Sequence, residues 1–272
     1  MRPIVAVRAA TPITIVVATL ALFGCASKPS QPDTRVEPPQ QIQLAPTPPV
    51  TGRRKAELHT ELASGYYERG QMNVALDELK EAESEDATYA KIYNVYGLVY
   101  TMLGEEAKAE SNFRRALQIA PDDSDIHHNW GAFLCSHGRP ALAIPEFEIA
   151  ARDPLYKTPE IALANAGKCS VVLGNKQAAE GYFRRALSLK PLDAYAAYNL
   201  ALLKYHEASY DESRSLMRIV MQQNNPPPQA LYLGMCIERR KGDRSSEQSY
   251  VTQLKNRYPE SPEAKNTDGK DC

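Results

Sequence analysis

The sequence lacks the short motifs that mark the common catalytic sites. It contains no glycine-rich phosphate loop, no HExxH metalloprotease motif and no GxSxG nucleophile elbow. Its five cysteines show no paired CxxC or CxxH spacing, which argues against a zinc site. The adjacent histidines His127 and His128 point to different sides of a helix, so they are poorly placed to share a metal ion. We therefore expect neither enzymatic activity nor a bound cofactor or metal.

An excess of charge of either sign is also missing. The 32 Lys and Arg residues balance 33 Asp and Glu residues, which leaves a formal net charge of −1. Nucleic-acid-binding domains usually carry a basic patch, so we expect no nucleic-acid partner. The apolar run at residues 13–23 is too short to span a bilayer as a mature anchor.

Residues 1–24 follow the order of a bacterial signal sequence. Arg2 and Arg8 supply the positive n-region, the apolar run follows, and Gly24 precedes Cys25. A small residue followed by cysteine at this place resembles a lipobox, which implies acylation of Cys25 and cleavage before it. An ordinary secretory signal with an incidental cysteine is the alternative. Because Ala26 and not aspartate follows Cys25, the resemblance to sorted lipoproteins implies an acyl anchor in the outer membrane, on its periplasmic face.

The next segment, residues 25–52, carries seven prolines and few bulky apolar side chains. It cannot bury enough apolar surface to fold alone, so we expect an extended, disordered linker. We expect the polar residues 264–272 to form a disordered tail.

Five glycines between these segments recur at nearly regular intervals. They are Gly70, Gly104, Gly138, Gly174 and Gly242, and their spacings are 34, 34, 36 and 68 residues. A period of 34 residues with helical patterning is the signature of tetratricopeptide repeats, each of which is a pair of helices, A and B. Each glycine follows helix A, where a left-handed residue is favoured.

Other positions of the 34-residue unit carry the expected residue types. Small residues at positions 8, 20 and 27 let the two helices approach, and aromatic residues fill the space around them. The second unit shows the pattern most fully, with Tyr93, Tyr96, Gly97, Tyr100, Ala109, Phe113, Ala116 and Pro121. In the sixth unit Met235 stands at position 8 and Glu247 at position 20, so we expect a degenerate terminal repeat.

The pattern predicts an all-α, right-handed superhelical solenoid over residues 53–263, preceded by the signal peptide and the proline-rich linker. We expect six repeats, at residues 56–89, 90–123, 124–159, 160–193, 194–227 and 228–261. Such a solenoid presents a long concave surface, lined by the A helices, to other proteins.

The concave positions of the last three repeats are mostly apolar or aromatic. We expect a partner-binding groove there, because an apolar stripe that packing does not require marks a protein-binding surface. Its predicted members are Ile161, Tyr195, Tyr198, Leu202, Tyr205 and Tyr232. The alternative is that a neighbouring loop or the linker covers this stripe.

Four cysteines lie beyond the lipobox. Cys135 and Cys169 stand on consecutive A helices, which pack side by side, so they form either a disulfide or two buried thiols. Cys236 and Cys272 have no obvious partner.

Several stretches resemble the type IV pilus biogenesis and stability lipoproteins, which are the pilotins of the type IV pilus secretin. They are residues 129–135, 153–159, 165–169, 182–187 and 254–263. The segment 153–159 is the most specific of them, because it lies outside the repeat consensus. Members of the family often carry cysteines where Cys135 and Cys169 stand, so the resemblance implies a disulfide between them.

The resemblance further implies an assembly factor held by acyl chains in the outer membrane. Such a protein binds secretin subunits in the periplasm and promotes their localisation and multimerisation. A different class of protein fits the same anchor and solenoid. It is an adaptor that recruits periplasmic cell-wall hydrolases or proteases.

Overall fold

Helices account for the regular structure of this chain. The protein is described by a computed structural model, which covers residues 51–268 and residue 272. Thirteen α-helices and no strand occur in that part of the chain. None of these helices is both long and apolar enough to cross a membrane. The predicted signal peptide 1–24, the lipidation site Cys25 and the linker up to residue 50 lie outside the described residues.

The first twelve helices form six successive A–B pairs, and each A helix also contacts the next A helix. The predicted all-α solenoid is thereby confirmed. The A helices are α1 (Gly52–Glu68), α3 (Ala90–Met102), α5 (Ser124–Ser136), α7 (Pro159–Val172), α9 (Ala194–His206) and α11 (Pro228–Lys241). The B helices are α2 (Met72–Glu85), α4 (Glu106–Ile119), α6 (Pro140–Arg152), α8 (Lys176–Leu189), α10 (Tyr210–Val220) and α12 (Arg244–Arg257). A short helix, α13 (Pro262–Lys265), follows them.

In the second, third and fourth pairs, the two helices meet where a glycine of helix A faces a phenylalanine ring of helix B. A Cβ atom added to Gly97 would lie 2.7 Å from the ring of Phe113, and one added to Gly167 would lie 2.6 Å from that of Phe183. Both phenylalanines are fully buried. Burying such a side chain stabilises the fold by about 1.5–3 kcal/mol, so the glycine permits a contact on which each of these pairs depends.

The sixth pair keeps the predicted register. Met235 is the eighth residue of α11, as Gly97 is of α3, and it is fully buried. Val251 and Leu254 of α12 are buried at the places that Phe113 and Ala116 hold in the second repeat. Beside this register, a Cβ atom added to Gly234 would approach the ring of Tyr250 to 2.6 Å, so the degenerate repeat has a close glycine–aromatic contact one residue before the predicted small position.

The turns between helices A and B explain the five periodic glycines. Gly70, Gly104, Gly138, Gly174 and Gly242 all have positive φ angles, of 73° to 80°. In the fourth repeat the N–H of Asn175 then donates to the carbonyl of Ser170 over 2.9 Å, which closes the end of α7. The fifth repeat has Ala208 at this place with φ 59°, the only non-glycine residue with positive φ in the described chain. Ala208 stands where the glycine series has its gap, between Gly174 and Gly242. The turn has the same conformation there, but this conformation costs alanine more free energy than it costs glycine.

Polar side chains join helix A to the preceding loop. In the third repeat the Nδ1 atom of His127 lies 2.6 Å from Glu146 Oε2, and its Nε2 atom lies 2.7 Å from the carbonyl oxygen of Pro121. In the second repeat the hydroxyl of Tyr93 donates to the corresponding loop carbonyl, that of Ala87, over 3.0 Å. His127 is thus a structural side chain that is buried at a repeat junction.

Residues 264–268 and 272 depart from the disordered tail that was predicted for 264–272. Helix α13 begins at Pro262. The hydroxyl of Ser261, directly before it, accepts a hydrogen bond from the N–H of Ala264 and so caps the helix. Cys272 is joined to Cys236 by a disulfide, with a Cα–Cα distance of 5.3 Å. The two cysteines that had no obvious partner in the sequence are therefore partners. Their pairing was invisible there because no repeat position relates α11 to the end of the chain.

Candidate partner-binding groove

Three neighbouring clefts follow the A helices of the last four repeats. The α5–α7 cleft has a volume of 260 Å³, the α7–α9 cleft 600 Å³ and the α9–α11 cleft 330 Å³. Lys168 and Val172 line both of the first two clefts, and Leu202 and His206 line both of the last two. The clefts therefore form one continuous surface, which we call the A-helix groove.

Four of the six predicted groove residues meet in the α9–α11 cleft. They are Tyr198, Leu202, Tyr205 and Tyr232, all half-buried. Tyr198, Leu202 and Tyr205 recur every three to four residues along α9, so they form one wall of the cleft. Tyr232 stands on α11 and belongs to the facing wall. Aromatic side chains that are rigid and partly exposed are frequent anchors of protein interfaces.

The other two predicted residues are placed differently. Ile161 is half-buried on α7 and lines none of the three clefts. Tyr195 also lies outside them, and its hydroxyl donates to Asn165 Oδ1 over 2.9 Å. This bond ties α9 to α7, so Tyr195 supports the groove and does not line it.

Burial raises the pKa of Tyr198, and the nearby carboxylate of Glu263 raises it further. Burial likewise raises the pKa of Tyr195. Both phenols therefore keep their protons at neutral pH, because an ordinary tyrosine already titrates near pH 10. Tyr198 offers a hydrogen-bond donor at the groove without adding negative charge, whereas the hydroxyl of Tyr195 is already bonded to Asn165.

The C-terminal segment forms part of the α9–α11 cleft. Pro262, Glu263 and Asn266 line it opposite Tyr198 and Leu202. This observation agrees with the alternative that a neighbouring segment covers the aromatic stripe, although the cleft stays open between the two walls.

Cys272 closes this end of the groove. Its sulfur is bonded to Cys236, which also lines the cleft, and its carbonyl oxygen accepts the hydroxyl of Tyr205 over 2.5 Å. Arg240 donates to the same carbonyl oxygen. The covalent bond and the two hydrogen bonds hold the end of the chain against α9 and α11.

The α5–α7 cleft contains the second disulfide. Cys135 and Cys169 are bonded, with a Cα–Cα distance of 5.9 Å, and both residues line the cleft. The bond links consecutive A helices, and it thereby fixes the spacing of two walls of the groove.

Several groove residues were absent from the predicted set. Val172 is 63% exposed, Lys168 and Lys176 are exposed, and all three line the α7–α9 cleft together with His206. Lys176 begins helix α8 directly after the turn, so the concave positions of helix A do not include it. The C-terminal segment that lines the α9–α11 cleft also carried a sequence signal. Ser261, Pro262 and Glu263 follow the pattern of a helix start, from which α13 could have been predicted.

Within the described residues no group of three or more His, Cys, Asp or Glu side chains has the arrangement of a metal site. The side chains that line the groove are apolar, aromatic and, in a few places, charged. Such a lining suits the capture of a polypeptide segment.

Comparison with known proteins places this architecture among the tetratricopeptide repeats. Models of that repeat match residues 90–123, 135–193 and 170–226. The chain is 28% identical over 213 residues to the type IV pilus assembly protein PilF of Pseudomonas aeruginosa, covering 78% of this chain and 84% of PilF.

Two solved structures are similar over nearly their full lengths. The crystal structure of PilW, described as a widely conserved type IV pilus biogenesis factor, shares 30% identity with a TM-score of 0.70, covering 77% of this chain and 96% of PilW. The structure of Pseudomonas aeruginosa PilF shares 27% identity with a TM-score of 0.72, covering 80% of this chain and 99% of PilF.

Proposed function

Because this chain belongs to the PilF/PilW family of tetratricopeptide-repeat proteins of type IV pilus biogenesis, we propose that it acts as a pilotin for the type IV pilus secretin. In this role it binds secretin subunits and promotes their localisation and multimerisation in the outer membrane. The observation that carries the proposal is the A-helix groove, which leaves apolar and aromatic side chains partly exposed on a rigid scaffold.

An exposed apolar groove suits an assembly factor for a physical reason. Secretin subunits carry apolar surface that they bury only after insertion and assembly, and such surface aggregates in water. A preformed groove covers one such segment without the entropic cost of folding around it. Binding without catalysis is sufficient for this task, and it is the usual role of a tetratricopeptide scaffold.

The lipid anchor at Cys25 belongs to the same proposal. Attachment through several acyl chains holds a protein on a membrane more firmly than one chain does. Tethering also raises the effective concentration of a bound secretin subunit near the bilayer. Residues 26–50 contain seven prolines, a composition that favours an extended spacer between the anchor and the solenoid.

The first test measures heat- and detergent-resistant secretin multimers in outer membranes. We expect their loss in a strain that lacks this protein. We expect fewer or mislocalised multimers in a strain that carries Cys25→Ala, because the bound subunit is no longer delivered to the bilayer. Normal multimers in both strains would reject the pilotin proposal and favour the adaptor for cell-wall hydrolases or proteases.

The second test asks whether the A-helix groove is the secretin site. Tyr198→Ser combined with Leu202→Ser removes apolar surface from the cleft and leaves Tyr205 to hold Cys272. We expect weaker secretin binding with an unchanged circular-dichroism spectrum. The matched control is Leu189→Ser with Leu192→Ser, which removes exposed apolar side chains outside the groove. Equal secretin binding by the two double variants would place the site elsewhere on the solenoid.

A further inference from the structure

Neighbouring clefts of the A-helix groove differ in charge. Lys168, Lys176 and His206 line the α7–α9 cleft, and no carboxylate lines that cleft or the α5–α7 cleft. Among the residues that line the three clefts, the one carboxylate belongs to Glu263, in the α9–α11 cleft.

The lysines of the α7–α9 cleft have no acidic partner within residues 51–268. Eight of the twelve lysines in residues 51–268 form ion pairs with acidic side chains. Lys190 and Lys204, on the neighbouring loop and helix, each pair with two acids. Lys168 and Lys176 form no ion pair within residues 51–268, and both are exposed beside Val171 and Val172. Their charges remain available to a partner seated in the cleft.

The adjoining α9–α11 cleft offers an unsatisfied acceptor. The Oε2 atom of Glu263 is buried and has no hydrogen-bond partner within the described residues. A buried carboxylate oxygen without a donor costs free energy, so a donor supplied by a bound partner is favoured there. The neighbouring Tyr198 has its pKa raised by burial and by this carboxylate, which is consistent with an electronegative end of the groove.

We infer that the A-helix groove takes an apolar polypeptide segment that has an acidic residue at one flank and a basic residue at the other. The acidic flank of the bound segment lies beside Lys168 and Lys176, and its basic flank lies beside Glu263. The inference rests on the proposed function, because it describes the chemistry of the segment that the same groove binds. Charges at the rim of an apolar site fix the orientation of a partner and suppress wrong ones more than they add affinity.

The experiment uses the full-length protein in detergent and three synthetic peptides with one common apolar core of Leu, Val and Phe. The flanks are Asp at one end with Lys at the other, Asn at both ends, or Lys at both ends. We expect the Asp/Lys peptide to bind about tenfold more tightly than the Lys/Lys peptide in low salt, and we expect this ratio to shrink as salt screens the charges.

Charge reversal locates the effect. Lys168→Glu with Lys176→Glu should abolish the preference for the Asp/Lys peptide and favour the Lys/Lys peptide. Glu263→Gln should reduce the preference and keep its sign. The matched control is Lys157→Glu with Lys255→Glu, which reverses the two other lysines without ion pairs, both outside the groove. This control should bind all three peptides as the parent does.

Three outcomes would overturn the inference. They are equal binding of the three peptides, no binding of any of them, and an equal effect of the control variant. A concentration-dependent dimer that is lost in the Lys168→Glu/Lys176→Glu variant would also overturn it, because the occupant would then be a second copy of this chain.

The secretin assay separates this inference from the proposed function. If the deletion strain loses secretin multimers but the protein shows no preference among the peptides, the inference about charged flanks is wrong and the pilotin proposal stands. If the protein prefers the Asp/Lys peptide but multimers stay normal, the inference stands and the pilotin proposal is wrong.

Discussion

Gly167 on α7 lies so close to Phe183 on α8 that a Cβ atom at Gly167 would stand 2.6 Å from the Cε1 atom of the ring. Phe183 is fully buried and has no space into which it can retreat without moving its neighbours. The same relationship recurs between Gly97 and Phe113, and between Gly234 and Tyr250. In these repeats it is the contact that sets how closely the two helices approach.

Gly167→Ala should therefore destabilise the protein by about 1–3 kcal/mol, the usual cost of forcing an extra methyl group into a filled core. Gly181→Ala is the matched control. Gly181 lies within α8, and a Cβ atom added there meets nothing within 4 Å. This second substitution should stabilise the protein by about 0.5–1 kcal/mol through helix propensity alone. Urea unfolding of both variants measures the difference, and equal effects would contradict the packing argument.

Ala208 gives a prediction of the opposite sign. It adopts φ 59° at the turn where the other described repeats have glycine, and it is exposed. Ala208→Gly should raise the free energy of unfolding by roughly 0.5–1 kcal/mol, since glycine adopts this conformation without steric strain. Gly174→Ala, at the same turn of the fourth repeat, should lower it. If Ala208→Gly destabilises the protein, the strain at this turn is smaller than the entropy that glycine loses on folding.

The His127 side chain makes the stability of the third repeat depend on pH. Burial alone would lower the pKa of His127. The Glu146 carboxylate and the Pro121 carbonyl together raise it, because each accepts a hydrogen bond from a different ring nitrogen. Only the imidazolium donates from both nitrogens.

The sign of the pH effect follows from this raised pKa. The stabilisation is fully present below the unfolded pKa, near 6.5, and it is lost as pH rises through the higher folded pKa. We expect a loss of about 1 kcal/mol, the net scale of one hydrogen bond. His127→Gln should remove this part of the pH dependence, whereas the exposed His206→Gln should keep it. Denaturant titrations between pH 6 and 9 measure both slopes.

The two disulfides should contribute in different ways. Cys135→Ser with Cys169→Ser unlinks two central A helices, and we expect the whole solenoid to lose about 2–4 kcal/mol. Cys236→Ser with Cys272→Ser releases the C-terminal wall of the groove, so we expect faster carboxypeptidase trimming of the chain end with a smaller change in overall stability. Thermal unfolding and timed proteolysis, followed by mass spectrometry, distinguish the two effects. Equal trimming of the parent and the second variant would show that the hydrogen bonds to Cys272 hold the end by themselves.

The periodic glycines made the repeat predictable because each repeat contacts mainly its neighbours, so local patterns carry most of the fold. The same counting predicted the degenerate sixth repeat, in which the buried Met235 replaces a small residue. Only the structure shows that the neighbouring Gly234 makes the close contact with the ring of Tyr250. Helical periodicity likewise identified Tyr198, Leu202 and Tyr205 as one stripe of α9, and the 34-residue period added Tyr232 on α11. The structure brings these four together.

The sequence by itself determined the all-α repeat, the left-handed turns and the aromatic stripe, since each depends on residues within one or two repeats. The tertiary structure alone decided which segment closes the groove, because the approach of Cys272 to Cys236 has no counterpart in the repeat pattern. It also decided the charge of the groove. Lys168 stands on helix A and Lys176 begins helix B, and only the packing of α7 against α9 brings both to the cleft that Leu202 lines. Contacts within a repeat are visible as a period, whereas contacts that cross repeats or return from the chain end depend on how the helices stack.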